Sequence, residues 1–273
     1  MVVDAHMHLP RTDGMKPELQ ALLRGHPAFS EWDGKLDAKR FLSFLDGEGI
    51  EQAWIVTYNA KDSMGYGRED AEAVWDFCAE SDRLVALGGY DPNHDGPAEA
   101  ALAYLRSRGV SLLKFHPVHQ CLSPQDPRLA DFWAAAEGQM PVMVHTGPSV
   151  FPGACNQFAD PALLQPILDA HPKLQVILAH GGRPGDTLQA QAMVQAHPNA
   201  WMDLSGCPPT RIPTYFPELE SIQDRVLWGT DWPGPGVPSP AKNVQAFQAL
   251  GYPAKMQDAI LRQNAHKLLN SVQ

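Results

Sequence analysis

Cysteine is scarce and scattered in this chain. Cys78, Cys121, Cys155 and Cys207 are the only four in 273 residues, and no two form a Cys-x-x-Cys pair. That spacing speaks against a zinc ribbon or a disulfide framework, and it predicts four reduced thiols in a cytoplasmic protein. Basic charge is also short. Lys and Arg number 21 against 31 Asp and Glu, a net charge of -10, which is the wrong sign for a nucleic-acid partner. No apolar run approaches the roughly 20 residues of a membrane span. No leader is expected either, because the first motif begins at Asp4 and a cleaved leader would carry away His6 and His8. Internal repeats, low-complexity tracts and linkers are missing. No glycine-rich dinucleotide turn follows the first apolar run, which argues against an open doubly wound sheet.

What is present is an alternation. Short apolar runs at 2–6, 53–57, 84–90, 110–115, 141–146, 175–179, 200–204 and 225–229 read as eight strands. Helix-prone segments separate them at 69–81, 97–108, 128–138, 161–170, 186–196 and 218–222. Two more, at 240–250 and 255–269, follow the eighth strand. Alternating elements imply a parallel sheet, and eight of each imply a closed (β/α)8 TIM barrel of the metal-dependent hydrolase type. The length is close to the ~250 residues typical of such barrels, so 1–273 is expected to be one domain.

The chemistry-bearing residues fall at the C-terminal ends of those strands, where barrels of this kind keep their active sites. Asp4-Ala5-His6-Met7-His8 ends the first. His6 and His8 are two apart on a strand, so their imidazoles share a face, as half of a transition-metal site requires. Lys114-Phe115-His116-Pro117 ends the fourth strand, Val144-His145-Thr146-Gly147 the fifth and Ala179-His180-Gly181-Gly182 the sixth. Gly229-Thr230-Asp231-Trp232-Pro233 ends the eighth. A single strand-end His or Asp has a structural explanation. Four more on the face of the first point to a shared site.

Taken together these motifs resemble the amidohydrolase superfamily, and more closely its amidohydrolase-related (amidohydrolase 2) branch. That branch includes aminocarboxymuconate-semialdehyde decarboxylase, resorcylate-type decarboxylases and assorted hydrolases. The resemblance runs from Asp4 to Asn264-Ala265. It implies one divalent metal, zinc by preference with manganese also accommodated, held by His6, His8, His145 and Asp231. It also implies His180 as a neighbouring acid–base group. Asp231 would both touch the metal and move the proton of a metal-activated water. Asp4 is the expected partner of a ligand imidazole, with bonding to loop amides as its alternative. Lys114 has two readings: a carboxylated bridge to a second metal, as in binuclear members of the superfamily, or the preferred one, contact with substrate or pairing with a carboxylate. His116 is expected to be a loop residue fixed by Pro117.

Arg11, Arg183 and Arg211 lie on loops at the barrel mouth. Arg183 is the preferred partner for a substrate carboxylate. Phe151 and Trp232 are candidate apolar walls, and 148–160 reads as an active-site loop or lid. His26, His94, His119, His171, His197 and His266 are given no role. The reaction expected is attack of a metal-activated water on an amide, ester or lactone carbonyl of a small carboxylate-bearing substrate. Its alternative is decarboxylation of an aromatic or muconate-like acid. A barrel decayed into a non-catalytic binding protein would have lost ligands, and every expected ligand is present. A homodimer is compatible with the family.

Overall fold

The computed structural model describes residues 1–32, 35–234 and 236–271. Eight parallel strands run in sequence order: β1 (Val2–Met7), β2 (Ile50–Ile55), β3 (Leu84–Gly89), β4 (Leu112–Phe115), β5 (Val142–His145), β6 (Val176–Ala179), β7 (Ala200–Asp203) and β8 (Val226–Leu227). The last meets the first through backbone bonds. Ala5 N–H donates to Trp228 O at 2.8 Å, Asp231 N–H to His6 O at 2.8 Å and His8 N–H to Trp232 O at 2.7 Å. The sheet therefore curls into a nearly closed TIM barrel with helices between the strands, as the alternation predicts. Strand residues are buried on both faces almost throughout, which is why these segments read as continuous apolar runs.

Inside the barrel, Trp54, Leu112, Met143, Ile177, Trp201 and Leu227 pack into one buried cluster. Each such side chain stabilises the fold by about 1.5–3 kcal/mol. The period of two then builds the site on this floor. Two residues beyond Leu112, Met143 and Trp201 on their strands come Lys114, His145 and Asp203. Strand β1 departs from strict pairing, with a register shift between Asp4 and Met7, where His6 lies.

Between β1 and β2 the chain inserts three helices: α1 (Pro17–Arg24), α2 (Pro27–Trp32) and α3 (Ala38–Gly47). The Asp37 carboxylate accepts from Arg40 N–H and starts α3. Trp32, Phe41 and Phe44 from this insertion form an aromatic box around Trp232, with Phe44 and Trp232 centroids 4.6 Å apart. At the other end of the chain the expected 255–269 helix is present as Ala254–Asp258, a π-helical turn Ala259–Gln263 and Asn264–Asn270. Asn264 donates from Nδ2 to Gln223 O and Val226 O at 2.7 Å each, tying this helix to the last strand. Among the described residues, no helix is long and apolar enough to cross a membrane.

The expectation of four reduced thiols is overturned. Cys121 and Cys155 are joined as a disulfide with Cα atoms 5.1 Å apart, while Cys78 and Cys207 are free and buried. The two partners stand 34 residues apart in sequence. They meet because the segments after β4 and β5 fold onto each other over the barrel mouth, with Cys155 N–H donating to Val118 O at 2.8 Å. Sequence spacing carries no trace of that approach.

Candidate active site

Asp231 is the focus of the first group of polar side chains. His8 Nε2 lies 3.4 Å and His6 Nε2 3.8 Å from its Oδ1, and the three residues can offer one ligand atom each within 4.8 Å of one another. The opposite ring nitrogens are already committed. His6 Nδ1 donates to Asp203 Oδ2 at 2.8 Å, and His8 Nδ1 donates to Val56 O at 3.1 Å. These partners place the imidazole protons on Nδ1, so both Nε2 lone pairs face Asp231. Burial, then the nearby Lys114, lowers the His6 pKa and keeps that ring neutral. Burial opposes the charge of Asp231, but the neighbouring His8, His6 and Arg183 outweigh it and hold the carboxyl below its ordinary range. Two neutral imidazoles and a carboxylate, oriented through their outer nitrogens, fit a zinc-like divalent cation.

Asp231 itself sits in the left-handed region at φ 66°, as does His180 at φ 65°. Such backbone costs about 1–3 kcal/mol for a residue with a side chain, and it persists only where the surroundings hold it. Here they do. Thr230 is pinned to Asp4 through its N–H at 2.9 Å and its hydroxyl at 2.6 Å, and Trp232 is locked in the aromatic box. Trp232 is 4% exposed, so its ring packs in the core and does not form a substrate wall.

The residue that orients the imidazoles is Asp203 at the end of β7, which sequence reasoning missed. It accepts His6 Nδ1–H, His180 N–H at 2.9 Å, Ser205 N–H at 3.0 Å and the Ser205 hydroxyl at 2.5 Å. Burial works against its charge, yet His6 and these hydrogen bonds bring its carboxyl down to about 2. His6, His180 and Asp203 also lie close enough to suggest a second cation site. Their centre is filled by Ser205 Oγ, 3.0 Å from His6 Nδ1 and 2.7 Å from His180 Nδ1. One proton assignment satisfies every group. His6 donates to Asp203, Ser205 Oγ–H donates to Asp203, and His180 Nδ1–H donates to Ser205, leaving His180 Nε2 as an unprotonated base.

Asp4 takes the other of its two expected roles. Its bonds go to Thr230 and to the His6 backbone N–H at 3.2 Å, not to an imidazole, so it fastens β1 to the chain after β8. Burial pushes its carboxyl up to about 7 against these donors.

The structure separates His145 from the Asp231 group. Its Nε2 donates to Gly147 O at 2.9 Å, and its ring stands 4.7 Å from His180 and 3.9 Å from His116. Of the four expected ligands, three converge and His145 faces them across His180. His116 in turn stacks on His119 at 3.7 Å and accepts the His119 backbone N–H at Nδ1. Phe151 covers the outer face of His119 at 5.4 Å. His119, given no role from sequence, links three segments: its Nδ1 meets Tyr58 Oη at 2.8 Å and its Nε2 meets Ser149 Oγ at 2.7 Å. Burial first, then neighbouring charges, holds His116, His145 and His180 well below the ordinary histidine range.

Lys114 is 1% exposed, and its Nζ has no hydrogen-bond partner among the described residues. Burial lowers its ammonium to about 8. The expected pairing with a carboxylate is therefore not made as a direct contact.

The three arginines part company. Arg11 pairs with Asp13 at 3.0 Å and Arg211 lies over the Tyr215 ring. Arg183 reaches Asp231 Oδ2 at 3.5 Å and Ser205 O at 3.4 Å. Two glycines make room for it. A Cβ on Gly206 would fall 2.1 Å from its guanidinium, and one on Gly147 would fall 2.1 Å from its carbonyl oxygen. A cavity of about 1070 Å³ opens beside the segment after β1, lined by Leu9, Arg11, Phe29 and Trp32 among others. None of the converging His and Asp groups lines it, so it is distinct from this site.

A family model described as amidohydrolase (Amidohydro_2) matches residues 3–270, and the chain belongs to that family. No curated protein matches the sequence. Among solved structures, an uncharacterised TIM-barrel protein from Bordetella bronchiseptica superposes with a TM-score of 0.78 at 19% identity, covering 99% of both chains. A 2,6-dihydroxybenzoate decarboxylase bound to 2,6-dihydroxybenzoate has a TM-score of 0.74 at 19% identity, covering 99% of this chain and 98% of its own. A probable 2-pyrone-4,6-dicarboxylic acid hydrolase from Acinetobacter baumannii has a TM-score of 0.69 at 16% identity, covering 98% of this chain and 99% of its own. At these identities the likeness is one of fold.

Proposed function

We propose that this member of the amidohydrolase family is a metal-dependent hydrolase that opens an ester, lactone or amide bond in a small carboxylate-bearing substrate. The convergence of His6 Nε2, His8 Nε2 and Asp231 Oδ1, each imidazole fixed through its other nitrogen, carries the reading. His6, His8 and Asp231 would hold the cation, and His145, which faces them across His180, is the fourth ligand the family resemblance implies. A divalent ion there supplies Lewis acidity and brings the pKa of a water toward ~7. Asp231 stays ionised and accepts a proton at its carboxylate, then returns it to the leaving oxygen or nitrogen. Arg183, beside Asp231 Oδ2, seats a substrate carboxylate by charge-assisted hydrogen bonds. His180 Nε2 accepts or relays a proton, while Asp203 and Ser205 fix its ring.

The same Arg183 placement favours a second reading, a carboxy-lyase. A substrate carboxylate held against the acid–base carboxylate stands where loss of carbon dioxide and protonation of the ring would occur. Zinc-loaded protein assayed with 2-pyrone-4,6-dicarboxylate and with 2,6-dihydroxybenzoate separates the two. Lactone opening without release of carbon dioxide is expected. Carbon dioxide from the aromatic acid, with no lactone hydrolysis, would replace the hydrolase by the carboxy-lyase.

A further inference from the structure

The disulfide lies at the mouth of the barrel, and its surroundings give it a task. Cys121 follows the short helix Pro117–Gln120 after β4, at φ 51°. With His180 and Asp231 it is one of three non-glycine residues in the left-handed region among those described. Cys155 lies in 148–160, the segment after β5. That segment is stitched to itself by Ser149 N–H to Asn156 Oδ1 at 2.9 Å and Asn156 Nδ2 to Ser149 O at 3.0 Å. Among the described residues its polar links to the β4 side are few: Cys155 N–H to Val118 O, the Ser149–His119 bond and a Cys121 Sγ–Gly153 O contact at 3.5 Å. Phe151 adds one stacked face on His119. The covalent link joins these two segments beside the Phe151–His119–His116–His145 column of rings, which descends to the site.

We propose that Cys121 and Cys155 form a reversible redox strap that fixes this wall of the mouth, whichever reaction the site performs. Cys121 is exposed and Cys155 partly so, giving a small thiol access to sulfur. In the opening direction a small thiol, as its thiolate, attacks one sulfur. The S–S bond breaks, a mixed disulfide forms, and the departing cysteine takes up a proton. A second small thiol releases the other cysteine and leaves as the small-molecule disulfide, so two electrons pass to the protein sulfurs. A glutathione-type thiol–disulfide couple supplies both directions. Opened, the segment 148–160 is held to its neighbour by those few polar links and one ring stack. The Cα separation of 5.1 Å lets the bond re-form without backbone movement.

The test is thiol counting with peptide-resolved hydrogen exchange on the full chain, first equilibrated with oxidised glutathione and then reduced with dithiothreitol. Two titratable thiols in denaturant, from Cys78 and Cys207, are expected before reduction and four after it. Amides of 149–156 should then exchange about tenfold faster, with β5 and β6 unchanged. Cys155→Ser should show the fast exchange under both conditions. Should that variant fold poorly, the reduced wild-type chain gives the same answer. Four thiols after oxidised glutathione, or equal exchange of 149–156 in the two states, overturns the proposal. Neither readout needs a substrate, so failure of the strap and failure of the hydrolase reading remain distinguishable.

Discussion

Two sets of histidines face each other across this barrel mouth. On the β1 side, His6 and His8 have their Nδ1 protons taken by Asp203 and Val56, and their Nε2 atoms turn to Asp231. On the β4–β5 side, His145, His116 and His119 lie face to face at 3.9 and 3.7 Å, bonded to main chain, Tyr58 and Ser149. The residue type is the same, and all but the partly exposed His8 are buried. The second partner of each ring makes the difference. An imidazole whose outer nitrogen is held and whose inner one meets a carboxylate is arranged as a ligand. An imidazole sandwiched between rings is arranged as a wall, and His145, at its inner end, meets the β1 side through His180.

That contrast can be broken by substitution, with effects that should fall in order. Asp231→Asn should cost about 10³-fold in turnover with the fold kept, since it removes the proton acceptor and a cation ligand together; steady-state assay beside circular dichroism checks this. Asp203→Asn should weaken zinc binding by about 10–100-fold, because the His6 and His180 rings lose their anchor. Zinc titration against a chelating indicator reads that loss.

Acid should act through the same carboxylate. Asp203 has its folded pKa near 2, below the unfolded value near 3.8. Its contribution is therefore complete above pH 4 and vanishes as pH falls from 4 to 2, an order-of-magnitude change of about 2 kcal/mol. The difference in denaturation midpoint between wild type and Asp203→Asn, followed from pH 6 to pH 2.5, isolates it from Asp4, which titrates nearer 7. On the other wall, His116→Phe keeps a flat ring but leaves the His119 N–H without its acceptor. A stability loss of about 1–3 kcal/mol is expected, with zinc affinity unchanged.

Much of this was legible from the residues. The eight strands announced themselves because each is short and buried on both faces, so apolarity is unbroken within it. The strand-end histidines and Asp231 stood out because glycine or proline follows them closely. The helices α1–α3 did not, since no strand falls inside 9–49 to bracket them. Asp203 was hidden by looking like part of a strand. Its signal was the spacing from Trp201, which puts a carboxylate on the same inward face. His119 and the Cys121–Cys155 pair depend on two segments meeting in space, which no local pattern encodes. Trp232 misled because a tryptophan after a catalytic aspartate reads as a pocket wall. The insertion between β1 and β2 claims it for packing.

The most direct test is the number of zinc equivalents bound per chain after reconstitution and desalting, measured for wild type, His8→Ala and His116→Phe. The account predicts about one equivalent in wild type and in His116→Phe, and well under half in His8→Ala. No zinc in wild type, or loss of zinc in His116→Phe with retention in His8→Ala, would contradict the assignment of the β1 side as the metal-holding wall.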